Sequence, residues 1–248
     1  MVTRVEWIYG RNVAEMALKP GARRRVHRIV ATPPALRALG GAVPSDLSTS
    51  LASRVELDAL CGSPDHQGIA LAVDPFPYAA ADDLLGSDLL VVLDEVSDPR
   101  NLGAVARSAL AAGAGGLVIP KHRTALVTAA AVKASAGAVE HLPVAQVTNI
   151  AGFLKQAKAA GAWVYGASGE AFTSYRDVDY AERSVLVFGA EGRGLRPLVA
   201  RTCDLLASVP LRSPVESLNV SVAAALFLFE VRRPRPESGG AAAGTVRR

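Results

Sequence analysis

The 248-residue chain is poor in residues that cross-link a domain or bind metal: it has two cysteines, four histidines and two methionines. Cys61 and Cys203 stand alone, with no C-x-x-C and no histidine at ligand spacing, which argues against a disulfide framework and a zinc site. His27, His66, His122 and His141 are scattered, so no metal is expected. Long apolar runs are missing too: the longest, VAAALFLFEV at 222–231, is about half of the ~20 residues that a membrane span needs. The opening MVTRVEWIYG has acid and aromatic residues where a signal peptide needs an apolar core. A cytoplasmic location and no membrane partner are expected. No internal repeat is visible.

What is present is an ordinary α/β composition, half hydrophobic, at a length that fits one large domain or a small one followed by a larger. The net charge of +4 is unevenly spread. Residues 1–30 hold seven Lys/Arg against two acids and residues 231–248 five against one, while the 200 residues between carry 15 basic and 20 acidic groups. ARRRVHRIV at 22–30 reads either as a phosphate-contacting edge or as a solvated basic turn.

Residues 1–75 read as a small α/β unit: a helix over GRNVAEMALK, a strand over VHRIVAT, a polar and helical middle, and a strand over GIALAVD. DPFPYAAADDLLGSD then marks a linker over 76–87. From 88 to 232 uncharged strands alternate with helices, including helices over 124–136, 149–160 and 218–232; this predicts a parallel sheet covered on both faces. The tail over 233–248 is expected to be disordered and basic.

In parallel sheets ligands sit beyond the carboxyl ends of the strands. DPRNLGAVARSALAAGA, at 98–114, gathers Arg100, Asn101 and Arg107 at the mouth of an Ala-rich helix. Structurally, Asn101 reads as a cap, Gly103 as a packing residue and Arg107 as a solvated side chain. GASGE at 166–170, GAEGRG at 189–194 and PLRSPVESLN at 210–219 each follow an apolar run and offer backbone groups. GAEGRG comes too late in the chain for a dinucleotide fingerprint, and Glu191 would repel a pyrophosphate. Ser217 reads as the cap of the last helix; Asn219 and Ser221 then need other partners. That helix is apolar nearly all round and is expected to be buried in the core or against another subunit.

Three ordered segments, DPRNLGAVARSALAAGA, LVFGAEGRGL and VPLRSPVESLNVSVAAALFLFE, resemble the motifs of the SpoU/TrmH family of RNA ribose 2′-O-methyltransferases. IYGRNVAEMAL, HQGIALAV and KASAGAVEHLPVAQVTN are similar to the branch that acts on large-subunit ribosomal RNA. The resemblance implies an α/β fold: a small ribosomal-protein-L30e-like domain, then a SPOUT domain with a C-terminal trefoil knot. It implies S-adenosylmethionine as methyl donor, held by Gly189, Val209, Leu211 and Leu218 with Ala167 in the preceding loop. Arg107, Asn101, Glu191, Ser217 and Asn219 match the family's catalytic set, and Arg11, Arg23, Arg24, Arg25 and Arg28 would grip RNA. The implied substrate is a guanosine of 23S ribosomal RNA, naked or in an assembly intermediate, and the implied assembly is a homodimer. Transfer RNA, an antibiotic-resistance site on ribosomal RNA, or a non-catalytic RNA-binding role on the same fold are the alternatives.

Overall fold

The structure, a computed structural model, describes residues 5–233. The predicted tail from 234 onward lies outside the described residues.

The N-terminal part is a four-stranded mixed sheet. β1 (Glu6–Tyr9), α1 (Arg11–Ala17), β2 (Val26–Ala31), α2 (Pro33–Leu39), β3 (Ser48–Leu51), α3 (Arg54–Cys61) and β4 (Ile69–Val73) follow in chain order. The strand order is β1-β4-β2-β3, with β4 antiparallel to both neighbours and β2 parallel to β3. β1 and β3 are additions to the sequence reading. β1 has four residues, and β3, STSL, is an edge strand with only Ser50 partly covered, so neither shows a hydrophobic alternation.

The larger part is a six-stranded parallel sheet of order β10-β8-β9-β5-β6-β7. Its elements are β5 (Leu89–Asp94), α4 (Pro99–Ala111), β6 (Gly116–Pro120), α5 (Ala129–Ala134), β7 (Val144–Val147), α6 (Ile150–Ala159), β8 (Trp163–Ala167), β9 (Ser184–Gly189), α7 (Pro197–Thr202), β10 (Leu205–Ala207) and α8 (Val220–Val231). Side chains of a strand alternate between faces. Accordingly Leu89, Val91 and Leu93 join one hydrophobic cluster, while Leu90 and Val92 join the other. The chain winds outward through β6 and β7 and then crosses back to β8 and β9. The order therefore reverses between β5 and β9, the position at which open parallel sheets generally leave a crevice beyond their strand ends.

Two sequence expectations need correction. α5 is shorter than 124–136, because the segment before it is bound to its neighbours: Thr124 Oγ1 and Ala125 N–H both donate to the Val96 carbonyl, and Val127 N–H donates to Tyr78 Oη. α8 starts at Val220, capped by Asn219 rather than Ser217. Within one chain it is buried in part: Ala224, Phe227 and Leu228 enter the core, while Val222 and Phe229 are about half exposed.

Segment 76–87 is packed rather than a loose tether. Phe76 is buried, and Ala79 N–H donates to the Val144 carbonyl at 2.8 Å, adding a bridge beside β7. One hydrophobic cluster runs from Ile8, Val13 and Leu71 to Leu102, Val105 and Val139, so the two sheets share a core. At this seam Gly137 (φ 85°) faces α1, where a Cβ would come 2.7 Å from Met16 Cβ. The Arg24 guanidinium, buried, is bonded to both oxygens of the fully buried Glu140 and to Glu6 at 3.1 Å, and lies over the Phe76 ring. Among the described residues no helix is long and apolar enough to cross a membrane.

Candidate active site

β5 ends in Asp94, and β9, its neighbour, ends in Gly189 directly opposite. Asp94 is fully buried, and a buried carboxylate needs partners. Arg196 supplies them: its backbone N–H donates to Oδ2 at 2.9 Å, its Nε donates to Oδ1 at 2.8 Å, and Nη2 lies 2.6 Å from Oδ1. The Asp94 hydrogen bond raises the Arg196 guanidinium above its ordinary range. This pair pins the far end of the loop that follows β9.

The near end of that loop requires glycine. A Cβ on Gly189 would come 2.1 Å from the Gly194 carbonyl carbon, because the loop doubles back through paired Ala190 and Gly194 hydrogen bonds. Gly192 and Gly194 take positive φ, 77° and 65°, to close the turn. Glu191 is thereby presented from a fixed backbone.

α4 begins opposite. Asp98 caps it, accepting the Arg100 N–H at 2.8 Å, with Pro99 in the first turn. Hydrogen bonds from Arg100 hold the Asp98 carboxyl below the usual carboxylate range. Asn101 is thus not the cap. It is buried to 8 % exposure, and its Nδ2 donates to Glu191 Oε1 at 3.1 Å. Asn219, at the head of α8, donates from Nδ2 to Asn101 Oδ1 (3.0 Å) and to Glu191 Oε1 (2.6 Å), while its Oδ1 accepts from Ser221 N–H and Oγ. Two carboxamides and one carboxylate from three distant segments form a closed network at the crevice.

The structure does not bring the other two expected residues into this network. Arg107 is exposed on α4, about 9 Å further along the helix. Its side chain has no hydrogen bond or ion pair among the described residues. Ser217 is exposed ahead of α8 and also outside the network. Ala167 and Gly189 terminate β8 and β9, and Val209 follows β10 by two residues, so the three lie on one edge of the sheet. Leu218 is half-buried and Leu211 exposed.

Of the expected RNA contacts, Arg11, Arg25 and Arg28 are exposed, and Arg23 is partly covered with Nη2 on the Pro77 carbonyl. Arg24 is a correction: buried and committed to two carboxylates, it offers no free cation at the surface. Asp94 and Arg196 were missed in the sequence. The available signals were an acid closing the apolar run LLVVLD and an arginine just after the glycine loop. No cluster of metal-ligating side chains occurs among the described residues.

Comparison with known proteins adds to this geometry. Residues 7–79 match a family model described as RNA 2′-O ribose methyltransferase substrate binding. A protein of Mycobacterium ulcerans, named an uncharacterized tRNA/rRNA methyltransferase, is 47% identical over 188 residues. That match covers 73% of this chain but only 61% of the relative. An AdoMet-bound rRNA methyltransferase from Sinorhizobium meliloti superposes with a TM-score of 0.75 at 27% identity, covering 93% of this chain and 88% of that one. The SpoU methyltransferase AviRb from Streptomyces viridochromogenes, in complex with AdoMet, has the same fold at 23% identity (TM-score 0.76, 92% and 89% covered). The model of the SpoU rRNA Methylase family matches residues 88–229, more than half of the sequence, and the chain belongs to that family.

Proposed function

We propose that this chain transfers a methyl group from S-adenosylmethionine to a ribose 2′-oxygen of RNA, with a guanosine of 23S ribosomal RNA as the target, in the cytoplasm. The observation that carries this reading is the meeting of Asn101, Glu191 and Asn219, one residue from each of three separated motifs, at the crevice where strand order reverses. The strand ends fit the methyl donor. Ala167, Gly189 and Val209, with Leu211 and Leu218, offer backbone groups and apolar surface, and Gly189 leaves no room for a Cβ. When bound, that cofactor supplies an electrophilic methyl on a sulfonium.

The protein's task is to align the 2′-oxygen with that methyl and help its proton leave. A guanidinium with a pKa above ~12 is a poor proton acceptor. Arg107 is therefore assigned to the target phosphate or to the developing 2′-oxyanion, with the proton passing to another group or to water. Its distance from the amide network, and the exposed Val222 and Phe229 on α8, support a homodimer in which Arg107 of one chain completes the site of its partner. Arg11, Arg23, Arg25 and Arg28 of an L30e-like substrate domain would contact phosphates, making binding fall steeply with salt. We assign the family's trefoil knot to the C-terminal segment on the same reading.

The test is transfer of labelled methyl from S-adenosylmethionine to separated, unmodified 23S, 16S and transfer RNA. Label in 23S RNA supports the proposal; label in transfer RNA alone redirects the substrate. Cofactor-independent RNA binding without any transfer points to a non-catalytic RNA-binding protein.

A further inference from the structure

The carboxyl edge of the parallel sheet continues past the amide network. β5, β6 and β7 are neighbours ending at Asp94, Pro120 and Val147, so the loop after β7 lies two strand spacings, about 10 Å, from the one that starts α4. Between the β6 and β7 loops and the first turns of α6 is an open surface cavity of about 330 Å³, with Lys121, Thr148, Asn149 and Gln156 exposed to solvent. Lys121, Gln146, Thr148, Asn149 and Gln156 line it together with the buried Phe153, and no carboxylate does.

The backbone places these groups firmly. Lys121 N–H donates to the Val147 carbonyl at 2.9 Å, extending the β6 pairing by one residue. Asn149 caps α6 through Gly152 N–H. Beside the cavity, His122 and Arg123 are exposed, and Arg123 faces Glu95 at 3.9 Å. Both members of that pair are non-glycine residues with left-handed backbones, φ 57° and 61°. Such conformations are uncommon for residues other than glycine and concentrate at functional sites. The side chains of Lys121, Gln146, Thr148 and Gln156 make no hydrogen bond to other side chains or to the backbone among the described residues.

We propose that this cavity binds an unpaired nucleotide of the RNA strand next to the one methylated, with Lys121 on its phosphate and Gln146 and Gln156 on its base edge. The inference rests on the RNA-methyltransferase reading and adds a subsite to it. Carboxamides present a donor and an acceptor together, as base edges do, and proteins read RNA sequence mainly on unstacked bases. An ammonium suits a phosphate, and the absence of a lining carboxylate leaves that charge unopposed. The volume lies at the lower end of the ~300–1,000 Å³ of small-ligand pockets, enough for one nucleotide but not for a helix.

The test uses the full-length protein with unmodified 23S RNA. Photo-cross-linking followed by peptide mass spectrometry is expected to find nucleotide adducts within 121–123 or 146–156. Lys121→Glu should raise the RNA KM by about tenfold, with kcat and S-adenosylmethionine affinity kept, and Gln156→Ala should raise it less. An unchanged RNA KM in both variants, or adducts confined to other parts of the chain, overturns the subsite. If the wild-type protein transfers no methyl at all, the methyltransferase reading falls, and the cross-linking map still decides the cavity.

Discussion

Two polar networks of similar size are built in opposite ways. At the seam between the sheets, Arg24, Glu140 and Glu6 form an ionic cluster in which Arg24 and Glu140 are shut away from water. At the crevice, Asn101, Glu191 and Asn219 form a mostly neutral cluster around one carboxylate, with Asn219 and Glu191 reaching solvent. A buried ion pair gives no net stability over an apolar filling, yet removing one member leaves an uncompensated charge. The seam therefore ties the two sheets together, while the network at the strand ends leaves Glu191 and Asn219 open to solvent.

The largest effect should come from the seam. Glu140→Ala leaves the buried Arg24 with Glu6 as its remaining carboxylate, and a loss of about 3 kcal/mol, the lower end for a broken buried pair, is expected in denaturant unfolding. Replacing both, as Arg24→Met with Glu140→Leu, should restore most of that stability. If the single variant unfolds like the wild type, the contrast between the two networks is wrong.

Arg107 should respond in activity rather than in folding. Arg107→Ala is expected to lower methyl transfer by about 100-fold or more, with the unfolding midpoint unchanged because the side chain is exposed and unpaired. Arg107→Lys separates the roles: a bidentate guanidinium contact predicts a large loss, whereas a bare point charge predicts that much of the rate remains. Full activity in Arg107→Ala would remove the residue from catalysis.

Asn101→Ala should show both effects at smaller size. It leaves Asn219 and Glu191 each short of one hydrogen bond, a cost of about 1–2 kcal/mol, and it lets Glu191 drift. A fall in kcat larger than the change in S-adenosylmethionine affinity is expected, measured by kinetics and calorimetry on the same variant.

The two networks also differ in how far the sequence shows them. The alternation of apolar strands and helices from residue 88 announced the parallel sheet, because strands buried on both faces must be apolar throughout. Asn101, Glu191 and Asn219 could be picked out because each lies in a recognisable motif. The ion pair of Arg24 with Glu140 joins residues 116 apart, and the bond of Arg196 to Asp94 joins residues 102 apart; no local spacing connects either. Arg24 even looked like its exposed neighbours Arg23 and Arg25, since an arginine run does not tell which member turns inward. Segment 76–87 shows the same limit: prolines and acids mark a break in regular structure, but not whether Phe76 and Tyr78 pack.

The smallest effect tests whether the seam makes the two sheets open as one. Burial pushes the Cys61 thiol up to about 11 and the Cys203 thiol up to about 12, so neither forms appreciable thiolate at pH 8 while the protein is folded. Cys61 ends α3 beside the N-terminal sheet, and Cys203 follows α7 against the parallel sheet, giving one reporter on each side. Alkylation followed by peptide mass mapping should show both thiols becoming reactive at the same denaturant concentration, because a shared core and a buried ion pair couple the two halves. In Glu140→Ala, Cys61 should become reactive first, as the smaller sheet loses its clamp and has less apolar surface of its own to hold it. Separate transitions in the wild type would mean that the seam positions the sheets without tying their stabilities together.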